Sequence, residues 1–340
     1  MNRQPARPER PGAPDLTIVC CVEFGRLEDQ TVLMVRSLRA FGGALADVPV
    51  LAVIGRSGAP LRKRTREEFE RLGVQLVRAE ASSNPAPWLN YANKIAAVTT
   101  ADMLAGTGQV AWLDSDIFIL RAPTGLLLNP GEDLAARCHF LPPAVLEGDE
   151  GQVSYWTAIC SLFGVDFADV PWVEGTEGFP RQKLSFNSGV FTWRRGSGFA
   201  DLYADGVKRL LEARIAQRSG EFFTVDQVVF TPLIAANRLK WRNLSRDDHC
   251  LLMGGFLEAG TAAPLNDVRL LHYSNSFAAP SRALMERKLA REVPQFWSWL
   301  QQQRLELGNA PWPSNLLASS LRAARGLRYR LYDRSTVRVR

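Results

Sequence analysis

From Thr17 to Leu113 the chain alternates short apolar runs with longer segments of helical period, and this restricts the fold more than any other feature. Thr17 to Val22 reads as a strand. Gln30 to Phe41 reads as a helix, with Val32, Val35, Leu38 and Ala40 near one face and Gly42-Gly43 closing it. Val50 to Ile54, Val74 to Val77 and Val110 to Leu113 supply further strands. Arg62 to Leu72 and Trp88 to Ala105 supply the helices between them. Strands joined through helices pair in parallel, and the helices pack on the sheet.

Asp114-Ser115-Asp116 follows the last of these strands directly, and a second apolar run, Ile117-Phe118-Ile119-Leu120, comes after it. Open α/β sheets bind ligands beyond the carboxyl ends of their strands. Two carboxylates two residues apart can hold one hard divalent ion, which can in turn hold a diphosphate. The pattern therefore predicts a nucleotide-dependent transferase. The plainer alternative is a solvated acidic turn.

Composition narrows the class. The 340 residues are 46% hydrophobic and 22% charged, enough for one large or two modest globular domains. No apolar stretch approaches the roughly 18 residues of a membrane span. Residues 1–15 are rich in Pro and Arg, lack the apolar segment of a signal peptide, and read as a disordered arm. Cys20, Cys21, Cys138, Cys160 and Cys250 form no CxxC pair, which predicts free thiols and a reducing cytoplasm. His139, His249 and His272 are too few for a multi-histidine metal site. The net charge is +6, but from Trp312 onward seven arginines against Asp333 carry that whole excess. The remainder is near neutral, which excludes general nucleic-acid binding by the core.

Residues 142–183 show no clear period and carry Tyr155, Trp156, Trp172 and Phe179 among prolines, glycines and acids. They read either as a binding loop or lid, or as a set of short strands. Regular structure returns with a strand over Gly189 to Trp193, helices over Ala200 to Ala213 and Asp226 to Ala236, and a strand over Val268 to Tyr273.

Four segments, in order, resemble the GT-A glycosyltransferases, and most closely the retaining family 8 type. Leu113-Asp114-Ser115-Asp116 resembles the strand-terminal DxD. Phe186-Asn187-Ser188-Gly189-Val190 resembles the NSG strand. Asp226-Gln227 resembles the DQ helix start, and Leu271-His272-Tyr273-Ser274 stands where the family has a late histidine ligand. The resemblance covers roughly Thr17 to Phe277. It implies a Rossmann-like, mainly parallel sheet with helices on both faces and an acceptor-side extension. It also implies a nucleotide-sugar donor, UDP favoured, and a glycan or lipid-linked acceptor.

By the same resemblance, Asp114, Asp116 and His272 hold Mn²⁺ or Mg²⁺, and Asp114 with Ser115 also lies against the donor. Cys21, Val22 and Glu23 would contact the base, although Glu23 departs from the usual small or polar residue. Lys94 would meet a phosphate, with a solvated helix lysine as the alternative. Asn187 would face sugar hydroxyls and Gly189 would permit close approach. Asp226 would accept from the sugar, and Gln227 would lie on its face opposite the leaving group. The alternative for Asp226 is a helix cap. The late HxxGxxKPW pattern is not met, which leaves Arg282, Arg287 or Lys288 for its lysine. His249 is a competing ligand.

The implied organisation is an arm over 1–15 and a catalytic unit over 16–280, with its nucleotide half at 16–140 and acceptor half at 141–280. A helical segment over 281–311 and a basic tail over 312–340 follow. In the tail, Leu316, Leu317, Leu321, Leu327 and Leu331 interleave with arginines, which predicts peripheral contact with an anionic inner membrane face. Two rivals remain at this point. One is a non-catalytic sugar or nucleotide-sugar binder; the other is a haloacid dehalogenase-like phosphatase, whose DxD is usually followed by threonine rather than Ile117.

Overall fold

The computed structural model describes residues 14–139, 143–149, 151–175, 180–303 and 316–339. The expected arm, up to residue 13, lies outside them, as does Phe179.

The first half contains β1 (Thr17–Cys21), α1 (Arg26–Phe41), β2 (Val50–Ile54), α2 (Lys63–Leu72), β3 (Val74–Arg78), α3 (Ala92–Leu104), β4 (Gln109–Leu113) and β5 (Ile117–Ile119). Next come β6 (Leu134–Cys138), α4 (Val153–Ser161), β7 (Trp172–Val173), β8 (Gln182–Lys183), β9 (Phe186–Arg194), α5 (Phe199–Ala213) and β10 (Ile215–Ala216). Then follow α6 (Val225–Val228), α7 (Phe230–Asn237), β11 (Trp241–Asn243), β12 (Cys250–Leu251), α8 (Gly254–Glu258) and β13 (Leu270–His272). The chain finishes with α9 (Arg282–Glu292), α10 (Pro294–Gln302), α11 (Leu316–Arg334) and β14 (Val337–Arg338).

The central sheet has seven strands in the order β11-β6-β9-β4-β1-β2-β3. All run parallel except β9, which is antiparallel to both β4 and β6. The mainly parallel α/β sheet expected from the alternation is therefore present. Because β9 is reversed, its amino-terminal end meets the carboxyl end of β4. Leu113 pairs with Val190, and the Asp114 N–H donates to the Gly189 carbonyl at 2.9 Å.

Both faces of the inner strands β1, β2, β4, β6 and β9 are buried, which explains why β1, β2 and β4 read as continuous apolar runs, whereas the edge strands β3 and β11 are largely open. Side chains alternate between two cores. Ile18, Ala111 and Leu113 join Val32, Val35 and Leu38 of α1. Val19, Val110 and Trp112 join Ile95 and Val98 of α3, with Phe191, Trp193 and Tyr203.

A smaller sheet, β12-β13-β5, branches from the end of β4. In its antiparallel β13–β5 pair, His272 lies opposite Ile117, and the Tyr273 N–H donates to the Asp116 carbonyl at 3.1 Å. The three-residue turn between β4 and β5 thus carries the acids, and the second sheet delivers the histidine to them. A third core holds this sheet against α9 and α10 through Phe118, Tyr273, Met285 and Phe296.

Three expectations change. The single helix over Asp226 to Ala236 is two helices, α6 and α7. Residues 142–183 contain α4 and the β7–β8 pair, and Tyr155 and Trp156 are core residues at 1% exposure. Trp156 stacks on Phe167 at 6.0 Å and donates Nε1–H to the Pro143 carbonyl at 2.6 Å. Those two aromatics therefore pack the domain and do not line a loop.

The third change concerns the tail. Its helix α11 docks on the body through tyrosines. Tyr332 lies 4.8 Å from Trp88 and 4.7 Å from Phe222 between ring centroids, and Tyr329 lies 4.8 Å from Phe222. Asp333 accepts from the Gly220 N–H at 3.0 Å, and β14 extends β10. Leu316, Leu317, Leu327 and Leu331 remain on the outer face. The segment is a docked helix, and its contacts lend no support to the expected membrane association. Among the described residues, no helix is long and apolar enough to cross a membrane.

Candidate active site

The carboxyl ends of β1 and β4, the start of β9, α6 and β13 converge on one cluster. Side-chain ligand atoms of Asp114, Asp116 and His272 all lie within 4.8 Å of one another. His272 Nε2 is 3.4 Å from Asp116 Oδ1. Two carboxylates and one imidazole form a donor set suited to Mn²⁺ and, less strongly, to Mg²⁺. The backbone also makes room for it. A Cβ at Gly189 would stand 2.5 Å from both Cε1 and Nδ1 of His272, so only glycine lets the ring lie here.

Lys94 organises the acids from beneath. Its side chain is 3% exposed. Nζ lies 2.9 Å from Asp226 Oδ2 and 3.3 Å from Asp114 Oδ1, and it donates to the carbonyl and hydroxyl of Ser188 at 2.9 Å each. This overturns the solvated-lysine alternative. It also leaves the ammonium group committed to protein partners, which weighs against the phosphate contact expected of it. Asp226 accepts a second bond from the Ser188 hydroxyl at 2.6 Å. Its carboxylate therefore faces Lys94, and the helix-cap alternative falls.

The electrostatics follow from burial and close packing. Burial, together with Asp116 and Asp226, raises the Asp114 carboxyl above its usual range against the pull of Lys94 and His272. For Asp116, burial is outweighed by the His272 imidazolium, and the carboxyl moves down. His272 moves up because Asp116 and Asp114 overcome its burial. Lys94 also moves up, its two carboxylates overcoming burial, so it stays charged.

The remaining predicted residues surround this centre. The Ser115 hydroxyl donates to the Cys21 carbonyl at 2.9 Å and accepts from Thr31 at 3.1 Å, tying the acidic turn to the end of β1. Val22 is fully buried, with its N–H on the Val53 carbonyl at 3.0 Å. Cys21 donates its thiol to the Asn93 carbonyl at 3.2 Å. Glu23 is held by Asn93 and by Arg56, whose Nε is 2.7 Å away. Asn187 Oδ1 accepts from the Gly189 N–H at 2.9 Å. Gln227 is partly exposed on α6 beside Asp226.

Several participants escaped the sequence reading. Trp112 donates Nε1–H to Asp114 Oδ1 at 2.7 Å, and its ring lies 5.1 Å from the Lys94 ammonium. Ser188 bridges Lys94 and Asp226. Exposed Arg26, at the start of α1, is near enough to Asp116 to help lower its carboxyl. Trp112 read as an ordinary strand residue and Arg26 as part of a loop, so neither carried a signal. Lys288 and Arg282 are paired with Glu292 and Glu286, at 2.9 and 2.8 Å.

A family model for the Rhodobacterales glycosyltransferase domain matches residues 18–238, nearly two-thirds of the chain. The chain belongs to this glycosyltransferase family. As a glycosyltransferase it takes a nucleotide-sugar donor and a glycan acceptor. The family match contains the acidic turn, the start of β9 and α6, but ends before His249 and His272.

No curated protein sequence matches the chain. Solved structures similar to it include mouse xyloside xylosyltransferase 1 in its apo form, 12% identical, covering 76% of this chain and 96% of that one, with a TM-score of 0.45. Galactosyltransferase LgtC in complex with donor and acceptor sugar analogues is 14% identical, covering 95% and 97%, with a TM-score of 0.45. Glycosyltransferase GlyE of Streptococcus pneumoniae TIGR4 is 15% identical, covering 84% and 63%, with a TM-score of 0.46.

Proposed function

We propose that this glycosyltransferase moves a sugar from a nucleoside-diphosphate sugar, UDP favoured, to a glycan hydroxyl, with metal assistance and retention of anomeric configuration. The catalytic unit spans residues 16–280, with the nucleotide half over 16–140 and the acceptor half over 141–280. The observation that carries this reading is the clustering of Asp114, Asp116 and His272 at the carboxyl edge of the sheet.

Asp114, Asp116 and His272 would hold Mn²⁺ or Mg²⁺, which would supply positive charge opposite the departing diphosphate. Trp112 and Lys94 fix Asp114 by a hydrogen bond and a close charge. Arg26, exposed and close to Asp116, would be a cation available to the departing diphosphate. Asp226 is held by Lys94 and Ser188. Such a carboxylate is suited to ordering a sugar hydroxyl and poorly suited to taking an acceptor proton. Gln227 places an amide beside it, and an amide is a weak base and nucleophile. These features favour retention over an inverting mechanism, which needs a free base. Glu174, an acid of the irregular 142–183 segment, is 89% exposed and lies 3.6 Å from Arg181, so it is not held in place as a base.

Proton NMR of the first-formed product, with UDP-sugars as donors, tests the reading. The donor's own anomeric configuration is the expected result; the opposite anomer contradicts retention.

A further inference from the structure

His249 does not compete with His272 for the acids; it stands behind it. His249 Nε2 is 3.2 Å from His272 Nδ1, while the opposite nitrogen, His272 Nε2, faces Asp116 at 3.4 Å. The two rings are nearly parallel, at 16°, with centroids 5.4 Å apart. His249 is fully buried. A continuous line of contacts thus runs from Asp116 through His272 to His249.

We infer that His249 is a positioning residue for the metal centre: its Nε2 accepts the Nδ1–H of His272 and so keeps the Nε2 lone pair of His272 for the ion. This rests on the proposed reading of Asp114, Asp116 and His272 as the metal site.

The chemistry requires such a partner. A neutral imidazole ligand binds through one nitrogen and carries its hydrogen on the other, and the group that meets that hydrogen sets the ring's orientation. His249 is the described group within hydrogen-bonding distance of His272 Nδ1. That bond is also the single side-chain hydrogen bond of His249 among the described residues, since its Nδ1 has no partner. The ring is therefore not engaged elsewhere.

The surroundings hold the pair in register. The His249 N–H donates to the Ser245 carbonyl at 3.2 Å, and Cys250, the next residue, pairs with Leu271. Gly189 of β9 also abuts the His272 ring, since a Cβ there would stand 2.5 Å from its Cε1 and Nδ1. The His272 ring is thus confined between β9 and the turn before β12. A flipped ring would place carbon against His249 and lose the hydrogen bond.

The test is a Mn²⁺ titration, followed by the electron paramagnetic resonance signal of free Mn²⁺, on the full chain without donor. His249→Phe removes the acceptor and is expected to weaken Mn²⁺ by about 10- to 100-fold. His249→Gln restores an acceptor oxygen and is expected to recover most of that loss. Wild-type affinity in His249→Phe, or equal loss in both variants, overturns the inference. If His249→Phe does not fold, ¹⁵N-histidine NMR of the unmutated protein with bound Mg²⁺ decides: hydrogen on Nδ1 of His272 is expected, and hydrogen on Nε2 overturns the inference. A wild-type protein that takes up no Mn²⁺, or an Asp116→Ala variant that binds it as tightly as wild type, contradicts the metal-site reading itself.

Discussion

Lys94 Nζ lies 2.9 Å from the Asp226 carboxylate, and neither side chain is more than 4% exposed. The pair joins α3 to α6 beneath the acidic turn. Removing one member of a buried pair leaves an uncompensated charge, which usually costs about 3 kcal/mol or more. Lys94→Met should therefore lower stability by roughly that amount in urea unfolding, and should also abolish transfer. A variant as stable as wild type would show that the buried carboxylates tolerate losing their cation.

Gly189→Ala tests the close approach of β9 to His272. The added methyl would stand 2.5 Å from two ring atoms, and real Cβ atoms do not come so close. The ring must move away from Asp116. Transfer should fall by at least about tenfold, while circular dichroism stays near wild type. Unchanged activity would mean the ring can shift without loss.

Glu68 gives a stability effect with a defined pH window. Hydrogen bonds from Arg71 and then Arg36 outweigh burial and hold its carboxyl down at about 2, against an ordinary 4.5. A depressed carboxyl contributes stability above its unfolded value and loses it as pH falls through its folded value. The stability gap between wild type and Glu68→Gln should be constant above about pH 5, near 1 kcal/mol, and should close between pH 4.5 and 2. A gap that widens on acidification would contradict the assignment.

The thiols should be inert in the folded state. Burial pushes Cys20, Cys138 and Cys160 up to about 12. At pH 8 the thiolate fraction of each is then on the order of one in ten thousand. A colorimetric disulfide reagent should label them slowly in native protein and rapidly in denaturant. Fast native labelling of these three would contradict their burial.

The parallel sheet was legible because both faces of its inner strands are buried, which turns β1, β2 and β4 into apolar runs separated by helical segments. The acidic turn was legible because it interrupts such a run between β4 and β5. The reversed direction of β9 was not, since nothing in the residues of Phe186 to Arg194 marks the direction of a strand. The burial of Lys94 was not legible for a related reason. A lysine on a helix carries no sign of burial, and its carboxylate partners lie 20 and 132 residues away. The role of His249 depends on the register between β12 and β13, two-residue and three-residue strands too short to announce themselves. The docking of the tail was not legible because its leucines and arginines dominate the pattern, while Tyr329 and Tyr332 make its ring contacts with the body.

The central claim is that Asp114, Asp116 and His272 hold a divalent ion on which sugar transfer depends. Release of UDP from a UDP-sugar by EDTA-treated protein, before and after Mn²⁺ is restored, tests it most directly in wild type and Asp116→Ala. The account predicts release that disappears with EDTA, returns with Mn²⁺ in wild type, and fails to return in Asp116→Ala. Full release in excess EDTA, or full recovery by Asp116→Ala, would contradict it.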